Sequence, residues 1–215
     1  MIYFIHNTFN RPKQVIRHSL IEKELYPDCK HLIVYNNPKI IFEEINDITY
    51  FYFGDNKKHK AGSINSVYSG LKYLLENNNI TDNDIIVFSH DDIYLCNNDK
   101  FSYYINMMKQ YDFISRRVID NKHVPDNCIF YIMMESFLIK PNLARVLTEN
   151  YIYNEINEED LLKDKLNSYS PEMNFGKDIL SNTDKYFLID INENVYGEND
   201  LGYFHIKNER GSGEF

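Results

Sequence analysis

Ile64, Val67, Tyr68, Leu71, Leu74 and Leu75 recur at 3, 4, 7, 10 and 11 residues from the first. That spacing places them on one face of an α-helix. Short apolar runs bracket it: Ile2 to Ile5, His31 to Tyr35 and Ile48 to Phe53 before it, and Ile85 to Phe88 after it. Val15, Ile16, Leu20 and Leu25 give a second helical spacing between the first two runs. A helix with one apolar face must cover something, and buried strands are the partner this order supplies. The alternation predicts an α/β domain with a central, mainly parallel sheet flanked by helices.

The second half is less regular. Phe101, Tyr104, Ile105 and Met108 suggest a helix, and Asp112 to Ser115 and Ile129 to Ile139 read as strands. Pro141-Asn142 opens a helix through Val146 and Leu147. Glu158 to Leu166 reads as an acidic helix start, and Tyr186 to Ile191 as a late strand. No repeat or Pro/Gly/Ser-rich linker divides the 215 residues, a length that suits one domain with a full core. Gly211 to Phe215 reads as a vector-derived tail, which leaves 1–210 as the domain.

Composition removes several classes of function. Lys plus Arg is 23 against 32 Asp plus Glu, a net charge of −9, which disfavours a nucleic-acid partner. No apolar run approaches the roughly 18 residues of a membrane span, and the start lacks a basic leader region, so a cytoplasmic location is expected. Cys29, Cys96 and Cys128 are widely spaced and form no CxxC pair. Reduced, buried thiols are expected rather than a disulfide framework or a zinc ribbon. There is no GxSxG or HExxH motif, which disfavours a serine hydrolase and a zinc protease.

Three early runs end in polar clusters: His6-Asn7-Thr8, Asn36-Asn37, and Ser89-His90-Asp91-Asp92. In open α/β sheets, ligands bind beyond the carboxyl ends of the strands. The third cluster sets two carboxylates between apolar Phe88 and apolar Ile93-Tyr94-Leu95. Burying that pair without a cation costs several kcal/mol or forces protonation. A divalent ion, Mn²⁺ or Mg²⁺, resolves the problem with hard oxygen ligands. The alternative is that Asp91 and Asp92 cap a turn or helix.

The stretch Lys60-Ala61-Gly62-Ser63-Ile64-Asn65, its helix, and Asp84 through Ile93 together resemble the nucleotide-sugar half of a GT-A glycosyltransferase, family 2 type. Ile5 to Arg11 and Ile33 to Asn37 are similar to that family's first and second strands with their donor loops. The resemblance covers residues 1–95 in order and 96–210 more loosely, as donor and acceptor halves. It implies a GT-A, Rossmann-like single domain and a metal-dependent glycosyl transfer. A nucleotide-sugar would be the donor and a glycan or other hydroxyl compound the acceptor. It implies metal ligation by Asp92 with Asp91 and His205, and donor contacts from Thr8, Arg11, Asn36, Lys60, Asn65 and Asp91. Glu172 is the first choice for a catalytic base and Asp178 the second, with inversion slightly favoured. Each of the two also reads as part of a solvated acidic helix start. The first acid of the family's Asp-x-Asp signature aligns with His90, so the motif here is His-Asp-Asp. That departure keeps a second reading open: a catalytically degenerate nucleotide-binding or structural module. A sugar-nucleotide pyrophosphorylase is disfavoured, because the loop His6 to Pro12 holds no glycine. Arg116-Arg117 reads as a surface pair.

Overall fold

The computed structural model describes residues 1–118, 130–157, 159, 171–191, 197–198 and 201–205. Within these, the side chains of 58–60, 131, 171, 197–198 and 204–205 are outside the description. The strands of the main sheet are β1 (Ile2–Thr8), β2 (Lys30–Tyr35), β3 (Ile48–Tyr52), β4 (Ile85–His90), β6 (Phe113–Val118), β7 (Tyr131–Ile139) and β8 (Tyr186–Ile191). Their order across the sheet is β3-β2-β1-β4-β7-β6-β8. All neighbours pair in parallel except at β7, which runs antiparallel to both β4 and β6. The expected α/β domain with a mainly parallel sheet is therefore what forms. A small second sheet holds β5 (Ile93–Leu95), β10 (Tyr203–His205) and β9 (Gly197–Glu198) in that order.

Helices cover both faces. On one side, α2 (Lys58–Asn77), α4 (Pro141–Thr148) and α5 (Pro171–Asn182) close over Ile5, Leu32, Val34, Phe88, Phe137 and their neighbours. Of the apolar residues of α2 that the sequence picked out, Ile64, Val67, Tyr68, Leu71 and Leu74 are buried there, and Leu75 packs partly buried against them. A fully buried side chain of this kind contributes about 1.5–3 kcal/mol. Gly70 lets α2 approach closely, because a Cβ there would come 2.9 Å from a methyl of Ile5. On the other side lie α1 (Pro12–Leu25), α3 (Asn98–Met107) and the small sheet, with Phe4, Val87, Phe101, Ile114 and Leu138 between them. Pro12 and Pro141 open α1 and α4, where a missing N–H costs nothing. The Asn97 side chain caps α3 by accepting from the Lys100 backbone N–H.

Several expectations need correction. β1 runs on to Thr8 and β4 to His90, so His6 and Ser89 are buried strand residues rather than loop. His6 stays in the sheet because Glu22 of α1 reaches it underneath, Nε2 to Oε2 at 2.8 Å. Burial holds that imidazole down at about 3 and the Glu22 carboxyl up at about 7. Arg116 is not a surface residue. It is buried and pairs with Glu135, where the β6–β7 register shifts and a bulge turns Glu135 toward it. Arg117 alone is at the surface, 2.5 Å from Asp190. Cys29 is buried, but Cys96, just after β5, is exposed. Cys128 and nearly all of the Glu158–Leu166 segment lie outside the described residues. Among the described residues no helix is long and apolar enough to cross a membrane.

Candidate functional site

The parallel strands β2, β1 and β4 are neighbours, so their carboxyl ends share one edge of the sheet. Asn7 of β1 lies in register with His90 of β4. The next residue on each side is Thr8 and Asp91, and their side chains meet. The Thr8 hydroxyl donates to Asp91 Oδ2 at 2.8 Å and accepts from the Arg11 backbone N–H at 3.0 Å. Arg11, at the start of α1, sends Nη1 to Asp91 Oδ1 at 3.2 Å and stands 4.0 Å from Asp92 Oδ2. Thr8 thus ties the end of β1, the start of α1 and the acidic turn into one unit.

The Asp91 carboxyl is displaced from its ordinary range. Burial and the adjacent Asp92 carboxylate push the Asp91 carboxyl up to about 6, against the opposing pull of Arg11 and the Thr8 hydrogen bond. Two adjacent carboxylates and a hydroxyl are a hard-oxygen donor set, the kind that could hold Mn²⁺ or Mg²⁺.

The returning chain reaches the same place. Strand β10 pairs antiparallel with β5, setting His205 in register with Ile93, the residue after Asp92. The backbone therefore brings residue 205 beside the acidic turn, and its side chain lies outside the described residues. Gly202 makes this return possible. It has φ +87°, and a Cβ there would sit 2.4 Å from the Asn97 carbonyl oxygen.

The other predicted donor residues are spread around the edge. Asn36, at the end of β2, is buried, and its amide donates to Asn56 Oδ1 at 3.3 Å. It sits beneath the first turns of α2, where a Cβ on Gly62 would be 3.2 Å from its Nδ2. Asn65 is fully buried with its amide committed inside the fold. It donates to the Ile156 carbonyl at 2.7 Å and accepts from the Tyr151 hydroxyl at 2.7 Å and the Ile156 N–H at 3.1 Å. That pattern anchors the chain around residues 151–156 to α2. Lys60 lies in the first turns of α2, with its side chain outside the described residues.

Glu172 and Asp178 both fall on α5, on the α2 side of the sheet. Glu172 is half-buried in the first turn. Asp178 accepts a hydrogen bond from the Tyr68 hydroxyl of α2, and burial together with Asp178 pushes that phenol well above its usual value. Neither residue bonds to the Asp91 group.

Sequence reading missed two contributors at this edge. Asn7 donates to Ser66 Oγ at 3.0 Å and leaves its own Oδ1 buried without a hydrogen-bond partner. The side chain of Asn37 donates to the Phe9 carbonyl at 3.0 Å, linking the loops after β1 and β2. Both residues stand in polar strand ends that the sequence did flag. Their partners come from distant segments, which no local pattern announces.

No family model matches the chain, and no curated protein does. Solved structures do match it. A glycosyltransferase involved in glycosylating the major capsid of PBCV-1 aligns with 99% of this chain and 97% of its own, at a TM-score of 0.56 and 9% identity. The chain has the GT-A fold. A 4-diphosphocytidyl-2C-methyl-D-erythritol synthase matches equally well, with a TM-score of 0.56 over 98% of this chain and 95% of that one, at 10% identity. The bifunctional IspDF of Campylobacter jejuni aligns with 88% of this chain at a TM-score of 0.52 and 12% identity, and this chain spans about half of it, 49%.

Proposed function

We propose that this chain is a metal-dependent glycosyltransferase that moves a sugar from a nucleotide-sugar donor to a hydroxyl acceptor. The observation that carries the proposal is the Asp91–Thr8–Arg11 unit, with Asp92 beside it, at the carboxyl edge of β1 and β4. It supports a site for a diphosphate, with Asp92 and Asp91 as ion ligands and the residue 205 region nearby. When bound, the ion neutralises charge on the departing nucleotide diphosphate. Arg11 stands within reach of the same phosphates and adds a fixed positive charge where the leaving group gathers negative charge. Asn36 and Thr8 border the space for the nucleoside. A carboxylate on α5 takes the proton from the acceptor hydroxyl as the new bond forms, Glu172 before Asp178. Asp178 is the weaker choice because it already accepts the Tyr68 hydrogen bond.

The 4-diphosphocytidyl-2C-methyl-D-erythritol synthase shares the fold. The end of β1 and the turn into α1, residues 6–12, contain no glycine, which favours sugar transfer over nucleotidyl transfer for this chain.

Turnover of a donor panel with Mn²⁺, read as release of nucleoside diphosphate, tests the proposal. Glu172→Gln is expected to keep donor binding and lose transfer. Full activity in Glu172→Gln moves the base elsewhere, Asp178 first. Absence of metal-dependent turnover with every donor favours the degenerate-module reading.

A further inference from the structure

A second polar cluster lies beneath the edge site and takes no part in the chemistry above. His6 of β1, Glu22 of α1 and His31 of β2 converge there with no side-chain exposure at all. His6 Nε2 and His31 Nε2 approach the same oxygen, Glu22 Oε2, at 2.8 and 3.2 Å. One ligating atom from each of the three residues lies within 4.8 Å of the other two. The second carboxylate oxygen, Oε1, is buried with no hydrogen-bond partner. Among the described residues no Lys or Arg pairs with Glu22.

As a purely hydrogen-bonded triad this is a poor arrangement. One oxygen takes both bonds while its buried twin takes none among the described residues, and imidazoles alone stand beside the carboxyl to balance its charge. A divalent ion removes both faults. Tetrahedral zinc with ligands at about 2.0–2.1 Å sets neighbouring ligand atoms about 3.3 Å apart, so the two spacings to Glu22 Oε2, 2.8 and 3.2 Å, need to open by only a few tenths of an ångström, and the third lies within 4.8 Å. Two imidazoles and one carboxylate suit zinc, whereas Mg²⁺ and Ca²⁺ prefer an all-oxygen shell. The surroundings are those of a supported ligand set. Ser89 Oγ lies 2.8 Å from His6 Nδ1 and fixes that ring, and Cys29 Sγ lies 3.8 Å from His31 Nε2 as a further donor. Phe4 stacks on His31 with ring centroids 5.3 Å apart.

We propose that His6, Glu22 and His31 form a structural zinc site that ties α1 to β1 and β2. The site is sealed, so the ion loads as the chain folds and leaves only when it unfolds. Its effect on the edge site is positional, since His6 stands two residues before Thr8 on the same strand. The proposal does not depend on the glycosyltransferase reading.

The test uses the full chain, produced with zinc in the medium and dialysed in its native state against EDTA. The protein is then unfolded in guanidinium with a zinc-sensitive dye present. The expected result is about one zinc per chain, released only on unfolding. Glu22→Gln is expected to retain less than about a tenth of that, and an Asp91→Asn/Asp92→Asn double variant to retain all of it. Refolding with zinc is expected to raise the thermal midpoint by about 5–10 °C over refolding in EDTA. A native protein without zinc, with the same midpoint after either refolding, overturns the proposal and leaves a hydrogen-bonded triad only. Zinc that survives Glu22→Gln but disappears in the double variant also overturns it, by placing the ion at the edge. Should Glu22→Gln fail to fold, the zinc content and refolding of the unaltered chain decide the matter.

Discussion

Two polar clusters hang from β1, and they differ in almost every physical respect. Thr8, Arg11, Asp91 and Asp92 meet at the carboxyl edge of the sheet, partly open to solvent, with the Asp91 carboxyl held above its ordinary value. His6, Glu22 and His31 meet two residues earlier along the same strand, wholly buried between the sheet and α1. Water reaches the edge cluster, which eases the close approach of its carboxylates. The buried cluster is closed to solvent, so its histidines and Glu22 must satisfy one another or hold an ion taken up during folding. One strand therefore carries a buried cluster and the proposed donor edge two residues apart.

This contrast orders the expected effects of substitution. Glu22→Ala removes the acceptor shared by two buried histidines and leaves a cavity, so it is expected to cost about 3–5 kcal/mol in a denaturant titration. A loss below 1 kcal/mol would erase the distinction between anchor and edge. Asp92→Ala is expected to change stability by less than about 0.5 kcal/mol while lowering donor turnover at least about a hundredfold, which corresponds to about 2.7 kcal/mol. Comparable losses of stability and activity would show the acidic turn to be structural. Asn65→Ala breaks three hydrogen bonds that anchor residues 151–156, and a loss of about 2 kcal/mol is expected from thermal unfolding.

The smallest effect concerns Asp91 and has the opposite sign. Its folded carboxyl titrates at about 6, above its ordinary value of 3.8, so the folded state binds the proton more tightly than the unfolded chain. Its ionisation costs stability as pH rises from about 4 to 6, and that cost is fully present above this window. In a chelator, Asp91→Asn is therefore expected to stabilise the protein by about 1 kcal/mol at neutral pH and by nothing below about pH 4. A variant equally stabilised at both pH values would show that the gain has nothing to do with charge.

The same contrast explains what the sequence made legible. Asp91 and Asp92 are adjacent, and the apolar runs around them place them at a strand end, so the edge was readable as a local pattern. Strands and helices with strong periodicity were readable for the same reason, α2 above all. His6, Glu22 and His31 come from three elements and look like an ordinary strand end, a helix face and a strand start. Only the packing of α1 across β1 and β2 joins them. Arg116 looked like half of a surface pair because Glu135 lies 19 residues on, across a bulge that no pattern announces. The small sheet escaped notice because its strands are two or three residues long, and pairing rather than periodicity defines them. Asn65 was read as a ligand contact, and its amide is taken up by Tyr151 and Ile156, about 90 residues away.

The most direct test of the central claim is thermal stability against UDP-, GDP-, CMP- and dTDP-sugars, each with and without Mn²⁺, on the unaltered chain and on Asp92→Ala. A ligand that binds only the folded state raises the midpoint by mass action. The expected result is a rise with one nucleotide class that requires Mn²⁺ and vanishes in Asp92→Ala. A rise that persists without Mn²⁺ or in Asp92→Ala, or no rise with any donor, would contradict the assignment of the Asp91–Asp92 edge as a metal-dependent donor site.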